Sequence, residues 1–297
     1  MNSDVMYLHL KGIDKLREKL PAYPGNRIAI LPLRGLFAAI VGYLFLIVLD
    51  IIPRLFGDIV FLAATEPYLP IIGSIFIAGL ALWLIGKLWN KREAMKEKYG
   101  DLAYQRIIMT GVTGVFLVPP IVFHAFTSIR SLPPVPPINE LTILWSQSML
   151  PFVGVPVDID VLLRMAISFA FIIIGALTVR SAVLTFGLDY MTVVYLYFPE
   201  ESEVQENEIY SVVRHPAYLG GVLLGLAGFL FRFSFYSMIF FIIIYLVFRL
   251  QIRREEIELR DRFGESYTEY MKKVPALLVK PSKIGAFFRF LSGRSND

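Results

Sequence analysis

Cysteine is absent from all 297 residues. Its absence excludes disulfides, thiolate metal sites, a cysteine nucleophile and a carboxyl-terminal prenylation box on this chain. Histidine is nearly as scarce, and His9, His124 and His215 lie too far apart in sequence to suggest a metal cluster. Charged residues make up only 18% of the chain against 56% hydrophobic, too apolar for an ordinary soluble domain. Uncharged runs on the order of twenty residues recur, the length a helix needs to cross a bilayer. They are continuous rather than alternating, which disfavours a β-barrel. The fold class expected is therefore all-α: a polytopic transmembrane helical protein. The net charge is +4, but the lysines and arginines flank the apolar runs, so membrane lipids rather than nucleic acid are the expected surroundings.

Residues 1–30 lack the apolar core of a signal peptide. Ser3 and Asp4 can cap a helix in which Met6, Leu10, Ile13, Leu16 and Leu20 recur at helical spacing beside Lys11, Lys15, Arg17 and Lys19. That pattern predicts an interfacial helix on the cytoplasmic leaflet. Spans are expected near 33–52, closed by Pro53-Arg54, near 70–88 and near 107–129, with a solvated helical extension over 90–98. Residues 31–160 thus form an amino-terminal group of helices and loops. The prolines at 133, 134, 136 and 137 predict an extended external loop. Residues 139–160, which hold no basic residue, are expected to hug the outer interface. A fourth span near 161–183 carries Arg164 and Arg180, placed to snorkel toward opposite interfaces.

Lysine and arginine counting sets the orientation. The amino-terminal segment and residues 87–106 are rich in both, whereas 50–70 and 131–160 hold only Arg54. Both termini are expected in the cytoplasm. The acids between Glu200 and Glu208 then read as a solvated cytoplasmic loop. The apolar stretch from Tyr218 to Phe248 is interrupted by Phe231-Arg232-Phe233-Ser234. As one helix it would be about 45 Å long, and as two arms each would span about 22 Å, short of a hydrocarbon core of about 30 Å. A helical hairpin returning to the cytoplasmic face fits best, giving about four full spans plus a carboxyl-terminal hairpin. It brings together the polar clusters at its two ends.

The first cluster is Arg214-His215-Pro216-Ala217-Tyr218-Leu219-Gly220. His215 precedes a proline, so its ring projects from a turn, and Pro216 suits the first turn of the next helix, whose amides are free to meet an anion. Gly220, Gly221, Gly225 and Gly228 strip one side of that helix, either for ligand access or for close helix packing. In the second cluster, Arg249, Arg253, Glu256 and Arg260 share one helical face, with Glu255 beside them. Gly264 caps that helix, and Tyr267 and Tyr270 follow three residues apart. His124 is an intramembrane ionisable group, read as a neutral ring satisfied by a neighbouring helix.

Taken in order, the Arg-His-Pro-x-Tyr-x-Gly turn, an apolar hairpin, Glu255-Glu256, Phe263-Gly264-x-x-Tyr267-x-x-Tyr270 and Val274-Pro275 resemble the isoprenylcysteine carboxyl methyltransferase family, part of a wider group that includes phospholipid methyltransferases. The resemblance covers roughly 161–281, within a methyltransferase core placed at 161–283, followed by a tail at 284–297. It implies S-adenosylmethionine held at a cytoplasmic site by Arg214, His215, Pro216, Tyr218, Leu219, Gly220, Glu255 and Tyr267. It also implies a lipophilic or prenylated acceptor entering from the bilayer, and no metal. Family members often carry an arginine four residues before the first glutamate, where this chain has Gln251, so Arg253, and less directly Arg249, is assigned the acceptor carboxylate. Glu256 restrains that arginine or holds the cofactor. A glycine usual ahead of the Arg-His-Pro turn falls at Glu208 or Ile209.

The activity expected is methyl transfer to the carboxylate of an isoprenylcysteine-like substrate, with Arg253 and Glu256 as catalytic residues. A carboxylate is ionised at neutral pH and needs no general base. The alternatives are an NADPH-dependent membrane reductase of the sterol-reductase type, which shares a similar His-Pro-x-Tyr turn, and a lipid amine N-methyltransferase.

Overall fold

The computed structural model describes residues 11–127 and 139–293. The cap at Ser3 and Asp4, the stripe positions Met6 and Leu10, and the proline-rich loop over 131–137 lie outside the described residues. Everything regular in the described residues is helical. In chain order the helices are α1 (Ile13–Glu18), α2 (Ile30–Leu55), α3 (Val60–Thr65), α4 (Leu69–Asn90), α5 (Arg92–Tyr99), α6 (Ala103–Phe116), α7 (Pro119–Phe126) and α8 (Glu140–Ser146). They continue as α9 (Val157–Phe186), α10 (Leu188–Met191), α11 (Val194–Tyr197), α12 (Pro216–Arg232), α13 (Phe235–Phe263), α14 (Glu265–Lys273) and α15 (Ile284–Leu291). Among the described residues, five helical stretches are long and apolar enough to cross a membrane: Gly25–Leu55, Leu69–Asn90, Arg92–Phe126, Val157–Phe186 and Phe235–Phe263.

Two of these depart from the sequence expectation at prolines. Pro53 does not end α2, which runs on to Leu55 with Pro53 inside it. Arg54, buried, pairs with the buried Glu66 at 3.3 Å, and Glu66 also accepts a hydrogen bond from Thr142 at 2.5 Å. That network fixes the last turn of α2 where the proline has removed a backbone donor. The tandem Pro119-Pro120, by contrast, breaks the third span into α6 and α7, with Pro119 at the first position of α7.

The hairpin forms as expected, but its arms are unequal. α12 has 17 residues, whereas α13 has 29 and continues past the apolar run until Gly264, at φ 59°, stops it. At about 1.5 Å per residue the arms are roughly 25 and 44 Å long. Phe233 turns the tip with a left-handed backbone, φ 47°, and Ser234 and Ser237 form a reciprocal capping box at the start of α13. Arg164 does not snorkel. It pairs with Asp160 at 2.7 Å and donates to the carbonyl of Phe231, while Arg232 donates to the carbonyl of Phe126 at 2.7 Å. The two arginines thus satisfy backbone oxygens around the hairpin tip.

The glycines of α12 serve packing. A Cβ on Gly220 would lie 2.5 Å from Val179 and 2.8 Å from the carbonyl of Gly175 on α9, and one on Gly221 would lie 2.4 Å from the Phe248 ring of α13. The Ser168 hydroxyl, donating to the Ala227 carbonyl at 2.9 Å, adds a cross-link between α9 and α12. His124 meets the partner expected of a buried histidine: its Nε2 lies 2.8 Å from Asp50 Oδ2 on α2, both side chains fully buried. On α1 and just after it, Leu16 and Leu20 are buried against Tyr104, Ile107 and Leu196, so this apolar stripe faces protein.

Candidate functional site

The hairpin brings its two polar clusters into contact. His215, the residue before α12, places Nε2 3.2 Å from Oε1 of Glu256 on α13 and Nδ1 3.7 Å from Oε2 of Glu255. The Tyr218 ring stacks on His215 with centroids 5.7 Å apart, and its hydroxyl donates to Glu255. Gln251, one turn earlier, adds a bond from Nε2 to the same Glu255 oxygen at 3.3 Å. Glu255 is 8% exposed, so this carboxylate is held between a phenol and an amide with little water.

Arg214 ties the walls together. Its Nε and Nη2 donate to Glu256 Oε1 at 3.0 and 2.5 Å, and Nη1 donates to the carbonyls of Met271, at 3.0 Å, and Val274. The backbone amides of Arg214 and His215 bond to the carbonyls of Pro275 and Ala276 at 2.9 and 3.1 Å. The Val274-Pro275 pair therefore clamps the Arg-His turn, and Tyr270 reinforces it by donating to the Tyr210 carbonyl at 2.6 Å.

A cavity opens in front of these residues. Arg214, His215, Pro216, Tyr218, Glu255 and Tyr267 all line it, as the sequence led one to expect. The opposite wall was not foreseen. It comes from Phe186, Tyr190, Val193 and Tyr195 around α10 and α11, and from the segment 202–205. Phe186 and Tyr190 stack at 4.2 Å, and Phe186 meets Tyr210 at 4.8 Å. The acidic loop is thus only partly a solvated surface: the Glu203 amide donates to the Tyr190 hydroxyl at 3.3 Å, and Arg262 donates to the Ser202 hydroxyl at 3.2 Å. Burial pushes the phenols of Tyr195, Tyr210, Tyr267 and Tyr270 above their ordinary value, so they stay neutral. A run of five aromatics between Phe186 and Phe198 was the available signal.

Four predicted site residues stand elsewhere. Leu219 is buried in an apolar cluster with Ile209 and Ile252, and Gly220 sits against α9, so neither lines the cavity. Glu256 lies behind the wall, as the acceptor for Arg214 and His215. Arg253 is exposed and lines a separate groove with Trp89 and Arg254, because residues 253 and 255 are about 200° apart around a helix. Glu208 has φ 48°, which identifies it, rather than Ile209, as the position where the backbone favours glycine.

Residues 166–261 match the model of the isoprenylcysteine carboxyl methyltransferase (ICMT) family. The match covers about a third of the chain. It contains α12, α13 up to Asp261, and the Arg214, His215, Tyr218, Glu255 and Glu256 constellation. Similar proteins include a probable protein-S-isoprenylcysteine O-methyltransferase of Oryza sativa subsp. indica, 27% identical over 109 residues, covering 36% of this chain and 57% of the relative. The protein-S-isoprenylcysteine O-methyltransferase of Schizosaccharomyces pombe is 29% identical over 110 residues, covering 37% of this chain and 47% of the relative. Protein-S-isoprenylcysteine O-methyltransferase B of Arabidopsis thaliana is 26% identical over 106 residues, 35% of this chain and 54% of the relative. The chain spans about half the length of these curated relatives. No solved structure matches. The matched segment stops before Tyr267 and Tyr270, which line the cavity, and before Pro275 and Ala276, whose carbonyls hold the amides of Arg214 and His215.

Proposed function

We propose that the chain is an integral-membrane, S-adenosylmethionine-dependent methyltransferase acting on the carboxylate of an isoprenylcysteine-like, lipophilic or prenylated acceptor drawn from the bilayer. The observation that carries this reading is the meeting of His215 and Tyr218 with Glu255 in an aromatic cavity, inside the segment that matches the ICMT family. The cavity's donor set suits a cationic nucleoside: a buried carboxylate for an ammonium or ribose hydroxyls, and electron-rich tyrosine faces for a sulfonium. S-adenosylmethionine, when bound, supplies a methyl group on that sulfonium.

The chain's own residues bind, orient and exclude water. Glu255, fixed by Tyr218 and Gln251, accepts hydrogen bonds from the cofactor's polar groups. The rings of Tyr190, Tyr195 and Tyr267 provide flat surfaces for an adenine and shield the reacting end. Arg214 and Glu256 act as positioning residues that hold His215 against the cavity. Methyl transfer needs alignment more than acid–base help, and opposite charges that neutralise each other react better in a dry site. Neither Arg253 nor Arg249 carries an assignment in the cavity. Lysine and arginine distribution supports a cytoplasmic placement of this site and both termini. Residues 161–283 form the methyltransferase core, and the helices before them support it.

Calorimetric binding of S-adenosylhomocysteine and NADPH to the detergent-purified chain tests the proposal, with Glu255→Ala and His215→Ala as controls. Micromolar binding of S-adenosylhomocysteine, lost in both variants and absent for NADPH, is expected. Binding of NADPH alone would transfer the chain to the reductases, and binding of neither would remove the enzyme reading.

A further inference from the structure

A second polar site lies on the other side of α13 from Glu255. The last turn of α4 and the polar turn of α13 enclose a groove lined by Trp89, Leu250, Arg253, Arg254, Ile257 and Glu258. The Arg254 guanidinium reaches down onto α4 because residue 86 is glycine: a Cβ there would stand 2.8 Å from Nη1. It also sits 5.8 Å from the Trp89 ring. Arg254 Nη1 and Trp89 Nε1 are both closed off from solvent, and neither donates to any described atom of the chain. Shielded donors are nearly always satisfied in folded proteins, so two orphans in one groove point to an acceptor supplied from outside.

The groove's own acid does not fill that role. Glu258 Oε1 already accepts from Arg92 at 2.6 Å and from Arg262 at 2.8 Å. Arg253 is exposed and has no ion pair among the described residues. The Arg253 and Arg254 guanidinium groups and the Trp89 indole thus border one groove from two helices, a cationic lining that suits a phosphate. One turn and two turns back along α13, Leu250 is 53% and Leu246 51% exposed, an apolar strip leading to the arginines. On α4, Trp83 is 58% exposed and carries the Lys87 ammonium 3.4 Å over its ring, an aromatic–cation pair of the kind that marks a membrane boundary.

We propose that this groove binds the phosphate of an anionic phospholipid, with Arg254, Arg253 and Trp89 on the head group and an acyl chain along Leu250 and Leu246. The site is separate from the cofactor cavity, so it stands or falls independently of the methyltransferase reading.

The full chain in detergent is titrated with dioctanoyl phosphatidylglycerol, dioctanoyl phosphatidylcholine and inorganic phosphate, and bound lipid is counted by native mass spectrometry. The same is done for Arg254→Gln, Arg253→Gln and Trp89→Phe, each with its melting temperature as a folding control. Phosphatidylglycerol is expected to bind at one site, at least about tenfold more tightly than phosphatidylcholine, and to lose about tenfold or more in Arg254→Gln. Smaller losses are expected in the other two variants, which carry the test if Arg254→Gln fails to fold. Equal binding of the two lipids, or wild-type affinity in all folded variants, would overturn the proposal. Inorganic phosphate competing as well as the lipid would also overturn it, in favour of a free-anion site.

Discussion

Glu256→Ala is the most informative single change, because one oxygen of Glu256 holds both halves of the hairpin's polar end. Oε1 accepts from Arg214 Nε at 3.0 Å, from Arg214 Nη2 at 2.5 Å and faces His215 Nε2 at 3.2 Å. The Arg214 side chain is only 7% exposed and that of Glu256 15%. Truncation leaves a shielded guanidinium with two of its donors unpaired. Breaking a buried pair from one side costs about 3–5 kcal/mol, and the partial exposure of this one places it near the lower end, about 3 kcal/mol. For a chain of this size that is a fall in melting temperature of roughly 6–12 °C. His215 is freed at the same time, so affinity for S-adenosylhomocysteine should fall by about tenfold, the value of one hydrogen bond to a charged group. Glu256→Gln keeps an acceptor without the charge and should lose about half as much stability. A cycle with Arg214→Gln should show coupling of at least about 1 kcal/mol. The assays are thermal melting in one detergent and calorimetric titration. A Glu256→Ala protein that melts and binds like wild type would refute the clamp.

Three other changes separate binding from packing. Glu255→Gln keeps the acceptor for Tyr218 and should leave melting unchanged while weakening S-adenosylhomocysteine about tenfold or more in a titration. Gly220→Ala forces a Cβ against the Gly175 carbonyl 2.8 Å away, so α9 and α12 must separate at a cost of about 1–3 kcal/mol. Its folded fraction should bind S-adenosylhomocysteine normally, and normal melting with lost binding would return Gly220 to the cofactor site. His124→Phe strips a fully buried Asp50 of its partner and should destabilise by about 1–3 kcal/mol. Adding Asp50→Leu should recover most of that melting temperature if the pair is structural, and recover none if each residue acts alone.

The membrane architecture was legible because bilayer length is written into apolar run length. Element ends were harder, since they depend on tertiary partners. Pro53 looks like a stop in sequence, yet the Arg54–Glu66 pair carries α2 past it. The change from Phe248 to Arg249 marks an end of apolar sequence, not of helix, because no breaker occurs before Gly264. The same distinction governs the site. Hairpin logic brought His215 to Glu255 because both flank one apolar stretch. It did not say how α13 is rotated, and rotation decides that Glu255 enters the cavity while Arg253 faces α4. The Tyr190 and Tyr195 wall carried no charge pattern, so nothing tied it to the clusters until packing did.

Rotation of α13 also accounts for the division of labour between its adjacent acids. Successive helical residues are about 100° apart, so Glu255 and Glu256 cannot both point into one cavity. Glu255 faces the cavity and is braced by Tyr218 and Gln251, with the His215 ring nitrogen 3.7 Å away. Glu256 faces sideways and is compensated by Arg214, whose remaining donors reach the carbonyls after α14. Exchanging the two roles would bury a neutralised ion pair in the cavity and leave Arg214 without an anion. The Glu-Glu dipeptide is therefore two different devices: one acid lining the cavity, and one fixing the turn that presents His215.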